Sequence, residues 1–381
     1  MILTINSGSS SIKFALYETV PLLEKTVSGE LSRIGLPGMA FRVNGREEKF
    51  SGKDYTSAID CLTSWLKKEN AVDAITAIGH RVVHGMAHTK PCFVTNELLA
   101  ELKQIIPYDP DHLPAEIKLM EAFRESFPDI KQFACFDTAF HQTMPGVAKL
   151  LPIPRRFGKQ GIHRYGFHGL SYQYLLQELE NLVGKKAAHG RVIFAHLGSG
   201  ASLAAVNKGK SIDTSMGFTP AGGILMSTRS GDLDPGVAWV MMETENLSPK
   251  QFNHLVNYES GLLGVSETTG DMSDLLKQEA TDSRSAEAVS LFCYQAKKWI
   301  GAFAAALGGV DYLVFAGGIG ENAPVIRARI CEGLNFLGIE LDDERNGENA
   351  PFISANESRV TVRVIPTDEE LMIAKIVMYL L

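Results

Sequence analysis

The run Ile2-Leu3-Thr4-Ile5-Asn6-Ser7-Gly8-Ser9-Ser10-Ser11-Ile12-Lys13-Phe14-Ala15-Leu16-Tyr17 decides how the chain is read. Its two ends are rich in β-branched, aromatic and aliphatic residues, and its middle is glycine and serine, so it predicts strand, polar turn, strand. The same arrangement returns at Val192-Ile193-Phe194-Ala195-His196, Leu197-Gly198-Ser199-Gly200-Ala201-Ser202 and Leu203-Ala204-Ala205-Val206, roughly one domain length later. The chain therefore reads as internally duplicated. Backbone amides can close on a phosphate chain only where side chains are small and the turn is tight. A single such turn is better explained by a polar hairpin loop. Two matched turns point instead to two phosphate-gripping hairpins, one on each wall of a cleft.

Working outward, helical periodicity predicts helices over Thr56–Glu69, Pro114–Phe127, Ser171–Val183, Ser285–Leu307, Pro324–Leu337 and Asp368–Leu380. Thr367 or Asp368 would cap the last of these with Glu370 near its N3 position, and Pro324 suits a first helical turn. Asp311-Tyr312-Leu313-Val314-Phe315-Ala316 is a continuous apolar strand that feeds Gly317-Gly318-Ile319-Gly320, a junction where nucleotides dock. Ile78 to Val83 reads as another strand, and residues 340 to 356 read as a polar loop. Strands and helices alternate in both halves, an α/β pattern. The length of 381 residues suits two domains.

The composition, 45% hydrophobic and 21% charged, is that of an ordinary globular protein. A net charge of −7 leaves no basic face for nucleic acid or anionic lipid, so neither is expected as a partner. The five cysteines are scattered, with no C-x-x-C pair, which suits a reducing, cytoplasmic setting rather than a disulfide frame or zinc site. No export signal or membrane-spanning stretch is expected. His80, His84 and His88 would align as metal ligands on a helix, but they fall where a strand is predicted, and magnesium prefers oxygen donors.

The Walker pattern is absent, so a P-loop kinase is not expected. Gly318-Ile319-Gly320-Glu321-Asn322-Ala323 matches the looser dinucleotide pattern, with Glu340 about twenty residues beyond, which keeps a nicotinamide enzyme as a rival.

Several longer blocks carry a resemblance. Ile5 to Lys13, Gly79-His80-Arg81-Val82-Val83-His84-Gly85, Phe136-Asp137-Thr138-Ala139-Phe140-His141-Gln142, Gly166-Phe167-His168-Gly169, Thr228-Arg229-Ser230-Gly231-Asp232-Leu233-Asp234-Pro235, Gly317 to Asn322 and Pro366-Thr367-Asp368-Glu369-Glu370-Leu371 resemble, in order, the motifs of the acetate kinase family. The resemblance implies a duplicated actin-like α/β fold, the class of sugar kinases, heat-shock chaperones and actin, with two domains around a cleft. One domain would hold residues 1–136 plus 368–381 and the other residues 137–367. It implies a homodimer that reversibly converts ATP and a short-chain carboxylate, acetate or propionate, to ADP and acyl phosphate, with Mg2+ or Mn2+.

Residue by residue, the resemblance makes Arg81, Asp137, His168 and Arg229 catalytic. The two guanidinium forks suit carboxylate and phosphoryl oxygens, and an arginine at a migrating phosphoryl group contributes on the order of 10³-fold. It places Arg81, Val83, Asp111, His112, Phe167 and Pro220 around the acid. Lys13, His196, Gly198, Ser199, Gly200, Asp271, Gly317, Gly318, Ile319, Gly320 and Asn322 fall to the nucleotide and its phosphates, and Asn6 and Glu369 to the metal.

Three positions depart from the family pattern. Ser199 stands where the second turn has Asn, Ser273 where an Arg flanks the adenine, and Asp111 where an apolar residue precedes the acid-site His112. A plain structural reading makes Asp111 the cap of the helix near Pro114. The departures leave the donor and the acid open, with a butyrate kinase-like or pyrophosphate-using relative as alternatives. A non-catalytic actin-like nucleotide module is the rival from another class.

Overall fold

In the computed structural model, which describes every residue except Ser9, Ser51, Asn70 and Ala71, both quoted runs are antiparallel hairpins. The phosphate-turn reading at Ser9 itself lies outside the described residues. Strand β1 (Ile2–Ser7) pairs with β2 (Ile12–Glu18), with Ile5 opposite Phe14 and Asn6 opposite Lys13. Every residue of β1 is buried, as expected of a central strand covered on both faces. Further strands are β3 (Glu24–Ser32), β4 (Ala40–Val43), β5 (Arg46–Glu48), β6 (Ala77–Val82), β7 (Cys92–Phe93) and β8 (Lys131–Phe136). Among the described residues they form one sheet in the order β5-β4-β3-β2-β1-β6-β8-β7, with β1, β6 and β8 parallel.

The second hairpin is β9 (Arg191–Leu197) with β10 (Ala201–Asn207). With β11 (Lys210–Thr214), β12 (Tyr312–Ala316) and β13 (Thr361–Val364) it makes a sheet in the order β11-β10-β9-β12-β13. The run β3-β2-β1-β6-β8 of the first sheet has the same order and the same directions, antiparallel across the hairpins and parallel beyond. The duplication read from the sequence is therefore a duplication of topology.

Two compact units result. The first comprises Met1–Ala139, Gly169–Tyr174 and Asp368–Leu381, and the second Phe140–His168 and Leu175–Thr367. In the first, the helix Glu369–Leu380 lies against β1 and β6. It buries Met372, Ile373, Ala374 and Val377 among Ile2, Ala15, Tyr17, Ala77 and Phe133. Each large apolar side chain so buried contributes about 1.5–3 kcal/mol. Gly79 makes this approach feasible, since a Cβ there would lie 2.4 Å from Ile373 Cγ2. In the second unit the helix Ser283–Leu307 packs on β9 and β10 and buries Ala288, Val289, Phe292, Ala296, Ile300 and Phe303, the spacing of one helical face. Asp282 caps its start, and Gly308 ends it at φ 71°.

Sequence and structure part company at several elements. The expected helix over Pro324–Leu337 stops at Cys331, because the chain turns at Gly333 with φ 77°, and a separate short turn covers Asn335–Leu337. The span 340–356 is not a plain loop: it holds the helix Asp343–Gly347, capped by Asp342, and a bridge between Leu341 and Ser354. Glycines 317, 318 and 320 open not a loose turn but the helix Gly317–Asn322, directly after β12. Asp368 caps the last helix by accepting from Leu371 N, while Glu370 occupies the second helical position. Of the described strands, β13 alone follows the glycine-rich segment, whereas a dinucleotide fold needs several further βα units.

Candidate active site

In the first unit the residues of interest collect at the carboxyl ends of parallel strands, where α/β folds place ligands. Asn6 is the penultimate residue of β1, Arg81 that of β6, and Asp137 directly follows β8. Arg81 Nε and Nη2 donate to Asp137 Oδ2 at 3.0 and 2.5 Å, and Arg81 Nη1 donates to Asn6 Oδ1 at 3.0 Å. Asn6 Nδ2 donates to Glu369 Oε2 at 2.9 Å and Glu370 Oε1 at 3.0 Å. With carboxylates on one side and a guanidinium on the other, only this orientation of the amide is compatible with its neighbours. Burial works against charge on Arg81, but Asp137 and Glu369 outweigh it and hold the guanidinium charged. Burial pushes the Asp137 carboxyl up while Arg81 opposes this, and burial with the adjacent Glu369 pushes Glu370 up. Lys13, exposed on β2 opposite Asn6, adds a positive field at Glu370.

Of the acid-side candidates, Arg81, Val83, Asp111 and His112 lie in the same unit, and Phe167 and Pro220 in the second. Val83 N–H donates to both oxygens of Glu116, at 3.1 and 3.2 Å. Burial, reinforced by Asp109, holds the Glu116 carboxyl well above the usual carboxylate range. His112 is the N-cap residue of the helix Leu113–Ser126 but makes no capping bond with its side chain; its Nδ1 pairs with Asp109 Oδ1 at 2.8 Å. Asp111, half-buried, precedes that cap, so it does not cap the helix.

The second unit carries the other set, around the turn of β9 and β10, where Gly198 N–H bonds to Gly200 O at 3.1 Å. His168 sits at φ 57°, ψ 25°, a left-handed conformation uncommon for a side-chain-bearing residue and typical of constrained sites. Its Nδ1 pairs with Ser202 Oγ at 2.9 Å, and its ring stacks on His196 with centroids 4.3 Å apart. Phe167 just before it is buried, and its carbonyl accepts from His141 Nε2 at 3.0 Å. Arg229 Nη1 donates to Pro220 O at 3.2 Å. A Cβ built on Gly200 would lie 3.2 Å from His168 Nε2 and 3.8 Å from Arg229 Nη1. An imidazole and a guanidinium thus meet over a turn kept bare by glycine.

Gly198 in turn approaches the start of the helix Gly317–Asn322, since a Cβ there would be 3.8 Å from Gly318 N. Gly317 has φ 76° and its N–H bonds to Glu321 Oε1 at 2.8 Å; Asn322 Nδ2 donates to Gly318 O at 3.0 Å. Ile319 is half-buried and Gly320 buried. Ser199 is exposed at the tip of the turn. Asp271 caps the helix Met272–Gln278 through Asp274 N, and Ser273 is exposed on its first turn.

The structure thus brings Asn6, Lys13, Arg81, Val83, Asp111, His112, Asp137 and Glu369 into one unit, and the remaining candidates into the other. The sequence reading missed Asp109, Glu116, His141 and Glu370. Glu370 and His141 lay inside quoted motifs, but Asp109 and Glu116 are flagged only by burial, which no local pattern in the sequence signals. Magnesium takes one or two protein carboxylates and completes its shell with water and substrate phosphate. Glu369 fits that role, whereas Asn6 has given its amide oxygen to Arg81. Among the described residues no three His, Cys, Asp or Glu side chains cluster into a metal site of their own, and His80, His84 and His88 are bonded separately, to Gln132, Met86 N and Glu101.

A family model described as the Acetokinase family matches residues 1–375. The chain is 42% identical to an acetate kinase of Rhodopseudomonas palustris over 98% of this chain and 97% of that one. It is 41% identical to a propionate kinase of Citrobacter rodentium over 99% and 96%. Among solved structures it is similar to an acetate kinase of Porphyromonas gingivalis, with TM-score 0.89, 38% identity and coverage of 99% and 98%. It is also similar to a propionate kinase of Francisella tularensis, with TM-score 0.92, 35% identity and coverage of 98% of both chains.

Proposed function

The chain belongs to the acetokinase family, and from that premise we propose how its residues carry out the reaction. It is a phosphotransferase with a carboxylate acceptor, on the duplicated actin-like fold, interconverting nucleoside triphosphate and acid with diphosphate and acyl phosphate. We infer that the donor is ATP and the acid acetate, with propionate next, and that transfer is direct and in line.

The observation that carries the mechanism is the meeting of His168 and Arg229 over Gly200. Donors so placed suit the equatorial oxygens of a migrating phosphoryl group, where charge develops. The Gly198–Gly200 turn and the helix starting at Gly317 supply small residues and amides for the donor phosphates, with Asn322 and Ile319 beside them. In the first unit Arg81 holds the acid's carboxylate. Asp137 fixes that guanidinium in place, and Asn6 orients Glu369, the carboxylate proposed to ligate magnesium. Bound there, the metal would neutralise charge on the donor phosphates. Val83, His112, Phe167 and Pro220 are proposed to surround the acid, with Asp111 at its edge. No general base is required, because a carboxylate is already ionised at neutral pH.

A cytoplasmic homodimer completes the reading. All five cysteines are free, and no helix among the described residues is long and apolar enough to cross a membrane. The helix Pro235–Thr244 buries none of its described residues and leaves Trp239 66% exposed beside Val237 and Val240, a surface suited to a second copy of the chain.

The test is a hydroxamate trap over a panel of carboxylates with ATP, GTP and pyrophosphate as donors, with and without magnesium. Acyl hydroxamate from acetate with ATP and magnesium is expected. Nucleotide binding with no acyl hydroxamate from any acid would favour the non-catalytic actin-like module instead.

A further inference from the structure

His168 is held in a backbone conformation that it would not keep unaided. At φ 57° and ψ 25° it is left-handed, whereas a flip of the Phe167–His168 peptide would carry φ to about −120°, in the extended region that side-chain-bearing residues prefer. A buried ring opposes that flip. The Phe167 carbonyl and the His168 N–H share one planar peptide, so anchoring the oxygen anchors φ of His168. His141, 1% exposed, donates from Nε2 to that oxygen at 3.0 Å.

Both ring nitrogens of His141 are committed. A carbonyl only accepts, so Nε2 carries the proton, and burial lowers the ring to about 4, which leaves Nδ1 an acceptor at neutral pH. Nδ1 accepts from Ser211 Oγ at 2.8 Å, and Thr143 Oγ1 donates to the carbonyl of the same serine at 3.0 Å. Gly166 leaves the space that the ring occupies: it sits at φ 75°, and a Cβ there would lie 2.7 Å from His141 Cδ2. All of these residues belong to the second unit.

We propose that His141 is a positioning residue for phosphoryl transfer: by holding the Phe167 carbonyl it keeps His168 left-handed, its Nδ1 bonded to Ser202 Oγ and its Nε2 close to Gly200. This deepens the proposed function and rests on its placement of His168 at the migrating phosphoryl group. His141 itself never touches substrate. A misplacement of about 1 Å at a catalytic group costs on the order of 10²-fold in rate, so the loss of His141 falls on kcat rather than on nucleotide binding.

The test compares His141→Leu, which fills the space without a donor, with His141→Gln, whose amide nitrogen reaches as far along the side chain as Nε2. His141→Leu is expected to lower kcat by about 10²-fold with the ATP KM little changed, and His141→Gln to recover about tenfold or more of that loss. In a His168→Ala background, itself slowed by about 10²–10³-fold, His141→Leu is expected to bring no further loss, because no ring remains to be positioned. A full additional loss in that background overturns the proposal, and so does a folded His141→Leu enzyme with the wild-type kcat. Near-normal turnover in His168→Ala alone overturns the underlying placement of His168 as well, so the two failures are distinguishable. Should the variants fail to fold, or no acid be turned over, the wild-type chain labelled with 15N-histidine decides. His141, identified by its Overhauser contacts to Ser211 and Gly166, is expected to carry its proton on Nε2, and a ring protonated at Nδ1 alone overturns the proposal.

Discussion

Replacing Arg81 by Ala separates the structural duty of one guanidinium from the catalytic duty proposed for it. Arg81 is 14% exposed along its side chain and Asp137 0%, so solvent screens their pairing little. The substitution removes both bonds to Asp137 Oδ2 and the bond to Asn6, leaving Asp137, Glu369 and Glu370 without that counter-charge. Breaking a buried pair by removing one partner costs about 3–5 kcal/mol. Asp137 can relieve part of this by taking a proton. Its folded-state affinity for the proton, already raised by burial, then rises further above its unfolded value. A carboxyl raised on folding favours the folded state at low pH and loses that advantage as pH rises, so the deficit is expected to be smallest in the ordinary carboxylate range and to grow as pH rises above it. The double variant Arg81→Ala/Asp137→Asn is expected to recover most of the stability and none of the turnover. Urea unfolding followed at Trp65, which packs on Phe14 and Phe41 in the first unit, reads this once Trp239 and Trp299 are replaced by Phe. An Arg81→Ala protein with the wild-type midpoint at pH 8, or a double variant no more stable than the single one, refutes the reasoning.

Arg229, whose Nη1 donates to Pro220 O and approaches Met226 Sδ, is expected on replacement by Ala to lower kcat by about 10³-fold or more. Near-normal turnover would remove the proposed mechanism. Gly317→Ala forces a side chain into φ 76° with its Cβ 2.7 Å from Leu197 O; a cost of about 1–3 kcal/mol and a raised ATP KM are expected, and an unchanged KM would place the nucleotide elsewhere. Burial lowers both His80 and His141 to about 4. The unfolded chain therefore binds protons between pH 6.5 and 4 that the folded chain does not, and stability should fall as pH drops through that window, by up to about 3 kcal/mol per histidine, and be indifferent to them above it. A His141→Gln protein with the same slope of midpoint against pH would exclude that residue's part. Asp111→Leu is expected to lower the acetate KM by removing like-charge repulsion, and kinetics unchanged in both KM and kcat would put Asp111 outside the acid site.

What the sequence made legible follows from where information is local. Both hairpins were readable because β1, β2, β9 and β10 announce themselves by composition and their turns by glycine and serine. Five of the six expected helices were readable nearly end to end because apolar spacing, and a cap such as Asp368, act within a few residues. The helix Pro235–Thr244 escaped because it buries no face and so has no amphipathic stripe to detect. The helix at Gly317 escaped because three glycines in six residues argue against a helix that tertiary packing nonetheless imposes. In the site, Arg81, His168 and Arg229 were reached through motifs. Asp109 and Glu116 were not, because their significance lies in burial at 3% and 2% exposure, a property of the folded neighbourhood and not of the residue type. Asn6 shows the same limit: its identity was readable, but its commitment to Arg81 depends on residues 75 and 363 positions away.

That last separation bears on how the protein is made. The helix Glu369–Leu380 closes the first unit, yet it is synthesised only after the whole of the second. At roughly 5–20 residues per second a ribosome needs on the order of 10–50 s to travel from Asp137 to that helix. During this interval Ile2, Ala15, Tyr17 and Ala77 lack their cover, and Asn6 and Arg81 lack Glu369. A nascent chain is therefore exposed to chaperones and proteases at the face of β1 and β6 until that helix has been made. A chain cut short before Asp368 would keep the glycines proposed for the nucleotide but lack the carboxylate proposed for the metal, so premature termination is expected to yield no half-working phosphotransferase.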